Sequence, residues 1–441
     1  MGSYRTNGDS GYLPLADACD EFSLSSKPRA YSELSQNGAN LNEKQVISNL
    51  TNCVIGVGVL SVPYAFRLSG YSSLPLILVS IVVTSSTAVF IGRSLDLANQ
   101  CSEAESVPIG ARDFAFLAQV AFGNIGRVLI GAITSLEIWF ALITFMVMNG
   151  VNARLILPSL GSSAPVLCSC ALMAANVFLP MKAFSILSLI SSVALVVASV
   201  ALIGAAMTMP RWYNPYDQLG STALVQLGNI PRSIGIIIFC FAGHPCFPMV
   251  HQSMKDQRRW VPCVAVTFLT AFVYYGGLGT FGYLVFGQDL RESFTENLDG
   301  LEGAILWRNI SAAGFFIKIQ FTAPLLLKAI LEILWPRASG EPTWSVRRII
   351  AVWCLSGLTA FMAIVFSNDV AVAASLTGSL FTMTTSVIFP AVVHVQLRRR
   401  VAPDTKGPVT WVPHCFILVF GVAMACSGTY LAVIDFLVKI Y

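Results

Sequence analysis

Charge is what this sequence has least of. Aspartate, glutamate, lysine and arginine make up 11% of its 441 residues, less than half the ~25% of a soluble globular chain. Water is therefore not its main solvent, which excludes an ordinary soluble enzyme or binding domain. Histidine occurs four times, with no His/Cys spacing that suits a metal and no His/Asp cluster that suits a membrane-embedded enzyme. The eleven cysteines include no C-x-x-C pair. Most fall in apolar stretches, Cys168 and Cys170 among them, and all read as small buried hydrophobes. No G-x-x-x-x-G-K-[ST] loop is present, so an ATP-driven pump would lack its phosphate cradle. The net charge of +4 is spread over short loops, so no basic face for nucleic acid forms. No cleavable signal peptide is visible, because residues 1–44 are polar before the first apolar run.

Apolar residues are what is there: 55% of the chain, at a mean hydropathy of +0.70. Windows of about 20 residues, each able to cross a ~30 Å hydrocarbon core, recur along nearly the whole length. The fold class is an all-α polytopic membrane protein embedded in a lipid bilayer. Eleven spans are expected, at roughly 45–66, 72–98, 125–150, 164–180, 185–209, 230–250, 262–286, 308–334, 347–367, 370–397 and 412–438. Ahead of the third, the amphipathic stretch 113–123 is expected to lie along the interface. Residues 1–44 read as a disordered tail. Its Tyr12-Leu13-Pro14-Leu15 fits the pattern read by sorting adaptors, although so short a match arises readily by chance.

Loop charges orient the spans. With the N-terminus in the cytosol, the cytosolic loops hold fourteen basic residues, including Lys255, Arg258, Arg259 and Arg398 to Arg400. The opposite loops hold six: Arg67, Arg154, Arg211, Arg232, Arg291 and Arg308. The far-side loop 288–307 is acidic, carrying Asp289, Glu292, Glu296, Asp299 and Glu302.

Two spans carry helix breakers at their centres. The first reads NLTNCVIGVGVLSVPYAFRLSGY, with Gly56, Gly58 and Pro63. The sixth reads SIGIIIFCFAGHPCFPMVHQSM, with Gly243, Pro245 and Pro248. Because they lie five spans apart, the halves 45–209 and 230–397 must run in opposite orientation, with 412–438 as an extra helix. Matching interrupted spans in two inverted halves point to a transporter's central binding site. Unwound backbone survives at membrane depth only around a cavity or ligand. Half-helix N-termini suit a carboxylate and half-helix C-termini a cation, so a zwitterionic amino acid fits. Gly56, Val57, Gly58 and Val59 are the expected backbone contributors of the first break, and Phe241, Ala242, Gly243 and His244 of the second. The competing reading is that small residues merely permit close helix packing.

The stretches GVGVLSVPYAF, FAGHPCFPMVHQSM and SLTGSLFTMTTSVIFP resemble the amino acid/auxin permease family. Within it they are most similar to the branch of vacuolar amino acid transporters and the vesicular inhibitory amino acid transporter. The resemblance runs from about residue 45 to the C-terminus. It implies eleven spans with a LeuT-type five-plus-five inverted core, and proton-coupled amino acid transport. Where relatives often carry Tyr, Ser or Ala around the sixth-span break, this chain has Cys240 and the pair His244-Pro245. Substrate preference therefore does not carry over.

Ionisable groups at bilayer depth are functional candidates. Glu137 lies near the middle of the third span, where the resembled branch tends to carry an acid, and is a candidate to bind and release the coupling proton; a structural role is as fair a reading. Lys318, in the eighth span, stands where sodium-coupled relatives of this fold build a cation site against the first span. Its ammonium is a candidate substitute for that ion, with Thr322 one turn on; the alternative is snorkelling. His244 is secondary. His251 and His394 are expected to be solvated near cytosolic ends. Lys328 and Glu332 are read as a helix pair, Asp369 as the cap of the tenth span, and Asn309-Ile310-Ser311 as a glycosylation pattern too close to the membrane for use.

The expected function is secondary active transport of neutral amino acids, with a proton gradient as coupling ion and no other cofactor. Either symport or antiport fits, and an acidic organelle such as the vacuole or lysosome is favoured over the plasma membrane. A plasma-membrane permease of the same family and an amino acid sensor with little flux remain as alternatives. A channel would need a continuous polar ring, and only isolated charges are present.

Overall fold

The computed structural model describes residues 41–109, 112–159, 161, 163–179, 181–208, 222–299, 302–334, 345–401 and 411–440. Nearly all of the expected tail, 1–44, lies outside them, as does its Tyr12-Leu13-Pro14-Leu15 pattern. Among the described residues the fold is helical, with one isolated bridge between Leu41 and Met254 and no strand.

The first helix, α1, runs Glu43–Val54. Its start is set by a reciprocal cap: Gln45 N donates to Asn42 Oδ1 and Asn42 N to Gln45 Oε1, each at 3.0 Å. The chain then leaves the helix at Ile55 and Gly56, both extended, and makes a 3-10 turn over Val57–Leu60. It re-enters helix as α2, Val62–Ser69, with Pro63 in the first turn, where the missing N–H has no helical partner to lose. Gly70, at φ 73, turns the chain into α3, Ser73–Ala98. Next come α4, Phe114–Ile156, kinked at Gly123, then α5, Ser163–Asn176, and α6, Met181–Met207.

The sixth stretch repeats the grammar of the first. Helix α7, Ile230–Cys240, ends in an irregular segment through Gly243, followed by a 3-10 turn over His244–Cys246. Helix α8, Phe247–Gln252, follows with Pro248 in its first turn. Gly243 has φ 132, a backbone conformation that side chains rarely accept. The remaining helices are α9, Trp260–Phe286, α10, Ile305–Leu334, α11, Val346–Val365, and α12, Val370–Leu376. A π-helical segment, Thr377–Ile388, joins α12 to α13, Phe389–Val401, and α14 is Trp411–Ile440.

Nine stretches among the described residues are long and apolar enough to cross a membrane. Helices α1 and α5 are too short to qualify, at 12 and 14 residues, or ~18 and ~21 Å against a ~30 Å core. Val196 and Val200 of α6, Leu269 and Val273 of α9, and Val419 of α14 are exposed. Aliphatic side chains presented outward from helix after helix suit lipid rather than water. Inside, small residues let helices touch: a Cβ on Gly378 would overlap the carbonyl of Gly235 on α7.

Several local expectations change. The stretch 113–123 does not offer its apolar face to the interface, since Phe114, Phe116, Leu117 and Val120 are buried and Phe114 packs on Phe389 with ring centroids 4.6 Å apart. Asp369 holds the N-cap position of α12 but makes no side-chain cap. Glu292 of the acidic loop does so instead, accepting from Ala371 N at 2.8 Å. The reading of Lys328 and Glu332 as a helix pair is not among these changes: Arg348 joins Glu332 at 3.2 Å, and the Phe184 ring centre lies 5.4 Å from the Lys328 ammonium. Ser311 of the glycosylation pattern is buried within α10.

Candidate functional site

The two interruptions face each other. A Cβ on Gly58 would come within 2.8 Å of Cys240 Sγ, and one on Gly243 within 3.2 Å of Cys53 O. One side chain serves both. The Tyr275 hydroxyl, from α9, accepts from Gly56 N at 3.0 Å and donates to Val54 O at 2.8 Å, with Cys240 O as a second acceptor at 3.3 Å. Breaking a helix strands backbone donors and acceptors, and burying them unpaired is costly. Tyr275 satisfies that need from outside both broken helices.

The interior between the breaks is not fully packed. A Cβ on Gly56 would meet nothing within 4 Å. Ala242 and Gly243 are half-buried. Cys53 is half-buried and Cys246 exposed, although both lie deep among protein atoms. Accessible surface at such depth marks a hollow. Val57, Gly58 and Val59 are buried behind it, as is Phe241, whose ring packs edge-on against Tyr275 with centroids 5.5 Å apart.

Glu137, on α4, is 4% exposed. Thr385, on the π-helical segment, donates to its Oε2 at 2.8 Å. Thr382 stands three residues earlier on the same segment. Glu137 Oε1 and Thr382 Oγ1 have no hydrogen bond among the described residues. The helix that carries Glu137 also packs against the 3-10 turn His244–Cys246.

Lys318 stands on α10, a helix packed against α4. It does not snorkel: it is 4% exposed, and Nζ donates to Asn52 Oδ1 of α1 at 3.1 Å. Asn52 Nδ2 in turn donates to Ser188 Oγ of α6 at 3.3 Å. The polar Asn49, Thr51 and Asn52 just ahead of the break were the available signal for this contact. Thr322 does not join the ammonium, because its hydroxyl donates back to Lys318 O at 2.8 Å.

His244 turns away from the hollow. Its Nε2 lies 3.0 Å from Thr84 O and 3.2 Å from Thr87 Oγ1, so it fastens the second break to α3. The expectation of solvated His251 and His394 is overturned. His251 is 1% exposed against Trp260. His394 Nδ1 lies 2.8 Å from His414 Nε2, and both rings stack on Phe90 at 4.8 and 4.3 Å. Aromatic packing between α3, α13 and α14 replaces water there. Nor are the cysteines uniformly buried: Cys168, Cys246, Cys354, Cys415 and Cys426 are exposed, while Cys19 lies outside the described residues.

A helical bundle with an apolar exterior, whose two interrupted helices meet around an internal hollow, has the form of a membrane transport protein. The chain belongs to the transmembrane amino acid transporter protein family, the amino acid/auxin permeases, whose family model matches residues 40–434. This is a family of membrane transporters, not enzymes. The chain is 28% identical to amino acid transporter AVT1D of Arabidopsis thaliana over 404 residues, covering 88% of this chain and 69% of that protein. It is 28% identical to amino acid transporter AVT1B over 440 residues, 95% and 76% of the two chains, and 24% identical to AVT1J over 401 residues, 87% and 89%, both from the same organism.

Proposed function

We propose that the chain is a secondary active, proton-coupled transporter of neutral amino acids that works by alternating access in an organelle membrane, vacuolar or lysosomal. The observation that carries this reading is the matched pair of interruptions, one in each half, sharing the Tyr275 clamp and flanking one hollow. Bare peptide groups beside a cavity suit the carboxylate and ammonium of an amino acid. Gly56, Val57, Gly58 and Val59 bring the first set of backbone groups, and Phe241, Ala242, Gly243 and His244 the second. Glu137 takes up and releases the proton, its unpaired Oε1 being open to it. Lys318, tied to α1 through Asn52, holds the place of a coupling cation.

The architecture we assign is eleven spans in a LeuT-type five-plus-five inverted repeat, 45–209 and 230–397, with 412–438 added. Gly70 supports that count by turning the chain between α2 and α3, so α1 with α2 forms one broken crossing and α3 the next. The asymmetry of loop charge supports a cytosolic N-terminus with the preceding tail, 1–44, on that side, where sorting adaptors would meet it. The resemblance to the vacuolar branch favours an acidic organelle.

The test is uptake of a neutral amino acid panel into liposomes bearing the purified protein, with and without an imposed proton gradient. Concentrative uptake that needs the gradient is expected. Binding without flux, or flux indifferent to the gradient, overturns the proposal.

A further inference from the structure

We propose that a water-filled cleft between α1 and α6 leads from the side of the N-terminal tail to the hollow, and that Asn52 is the gate at its inner end. Gln45, Ser48, Asn49 and Asn52 recur along α1 at i, i+3, i+4 and i+7, so they share one face. All four are exposed, whereas Val46, Leu50 and Val54 on the opposite face are buried.

Asn52 fixes where the exposed face looks. Its Oδ1 accepts from Lys318 Nζ of α10 at 3.1 Å and from Ser192 Oγ of α6 at 3.2 Å, and its Nδ2 donates to Ser188 Oγ at 3.3 Å. The face therefore turns toward α6 and α10. Side chains that look at a neighbouring helix and still carry accessible surface border a gap. Their chemistry says what fills it. Asn49 and Asn52 stand seven and ten residues beyond the cap at Asn42, or ~10 and ~15 Å along the helix, and hydrocarbon offers an amide no partner. Where α6 faces lipid it presents Ile186, Leu189, Val193 and Val196, while Ser188 and Ser192 are half-buried. The gap runs on to the hollow: Cys53 is half-buried, and a Cβ on Gly56, four residues past Asn52, would meet nothing within 4 Å.

Three hydrogen bonds through one side chain thus tie α1 to α6 and α10 where cleft and hollow meet. Whatever passes between the two must displace them, and α1 swings away from its neighbours only when Asn52 lets go. That the passenger is an amino acid rests on the proposed transport reading; the presence of water does not.

The test places one new cysteine at a time in the full-length protein, held in lipid nanodiscs open to water on both faces. A charged, lipid-insoluble thiol reagent is added, and labelled peptides are read by mass spectrometry. Such a reagent needs a thiolate, which apolar surroundings suppress, so it separates water from lipid. Ser48→Cys and Asn49→Cys are expected to label, while Leu50→Cys and the lipid-facing Val196→Cys stay unlabelled. The native Cys53 should label slowly, and several-fold faster in Asn52→Ala. After transfer to liposomes, uptake should fall once Asn49→Cys carries the adduct. Cysteines at 48 and 49 no more reactive than the one at 196 overturn the cleft, whether lipid or the tail covers that face. A Cys53 rate unchanged by Asn52→Ala overturns the gate. So does acceleration that extends to Leu50→Cys in the same background, which would make Asn52 a packing residue. Undiminished uptake with the adduct at 49 overturns the cleft as the route. If the untreated protein shows no uptake, the transport reading fails by itself and labelling alone decides the cleft.

Discussion

The hydroxyl of Tyr275 stands 3.0 Å from the backbone nitrogen of Gly56, although 219 positions separate the two residues. The same oxygen serves Val54 O and Cys240 O, so one side chain holds the ends of both interruptions. Tyr275→Phe keeps the ring and its packing on Phe241 but strands these groups. Each unpaired buried group costs about 1–3 kcal/mol, so thermal unfolding in detergent should shift downward and uptake should fall. A variant with unchanged melting and transport would remove the clamp from the account.

Glu137 gives the sharpest test of coupling. Glu137→Gln keeps the size of the side chain and a hydrogen-bond acceptor for Thr385, and removes only the ability to lose a proton. It should express normally and lose the response of uptake to a proton gradient. Thr385→Val, which deletes the 2.8 Å hydrogen bond, should weaken that response without abolishing it. Proton dependence that survives Glu137→Gln would take the role away from this residue.

Asn52 and Lys318 form the second polar contact across the core. Asn52→Leu leaves the ammonium without its 3.1 Å partner, and hydrogen bonds to charged groups contribute about 1.5–3 kcal/mol. The variant should be less stable and poor in transport. Asn52→Asp should recover stability by pairing the charges. If leucine and aspartate behave alike at this position, the contact is incidental.

Glycines 56 and 58 should respond differently despite their proximity. Alanine at 56 meets open space and should fold normally, with any deficit confined to transport. Alanine at 58 pushes on Cys240 and should lower stability, and Gly58→Leu should stop transport by forcing α2 from α7. Circular dichroism melting alongside uptake separates the two effects; equal melting of both alanine variants would contradict the packing described.

The sequence by itself determined the solvent and the punctuation of this protein. Scarce charge and recurring apolar windows required a bilayer, and Gly56, Pro63, Gly243 and Pro248 marked where two helices had to stop and restart, because backbone breakers act through their own and adjacent peptide groups. The depth of Glu137 and Lys318 in their spans was legible for the same local reason. Partnership was not. Tyr275 with Gly56, Lys318 with Asn52 and Thr385 with Glu137 join positions 219, 266 and 248 apart, and no local pattern distinguishes Tyr275 from Tyr274 or Thr385 from Thr384. His394 looked solvated at a helix end until Phe90 and His414 came to rest against it. Glu292 replaced Asp369 as a cap only because a distant loop folded over α12. Which polar groups meet inside a membrane depends on how separate helices pack, since unsatisfied donors and acceptors must find partners wherever the bundle places them, and that was decided by the tertiary structure alone.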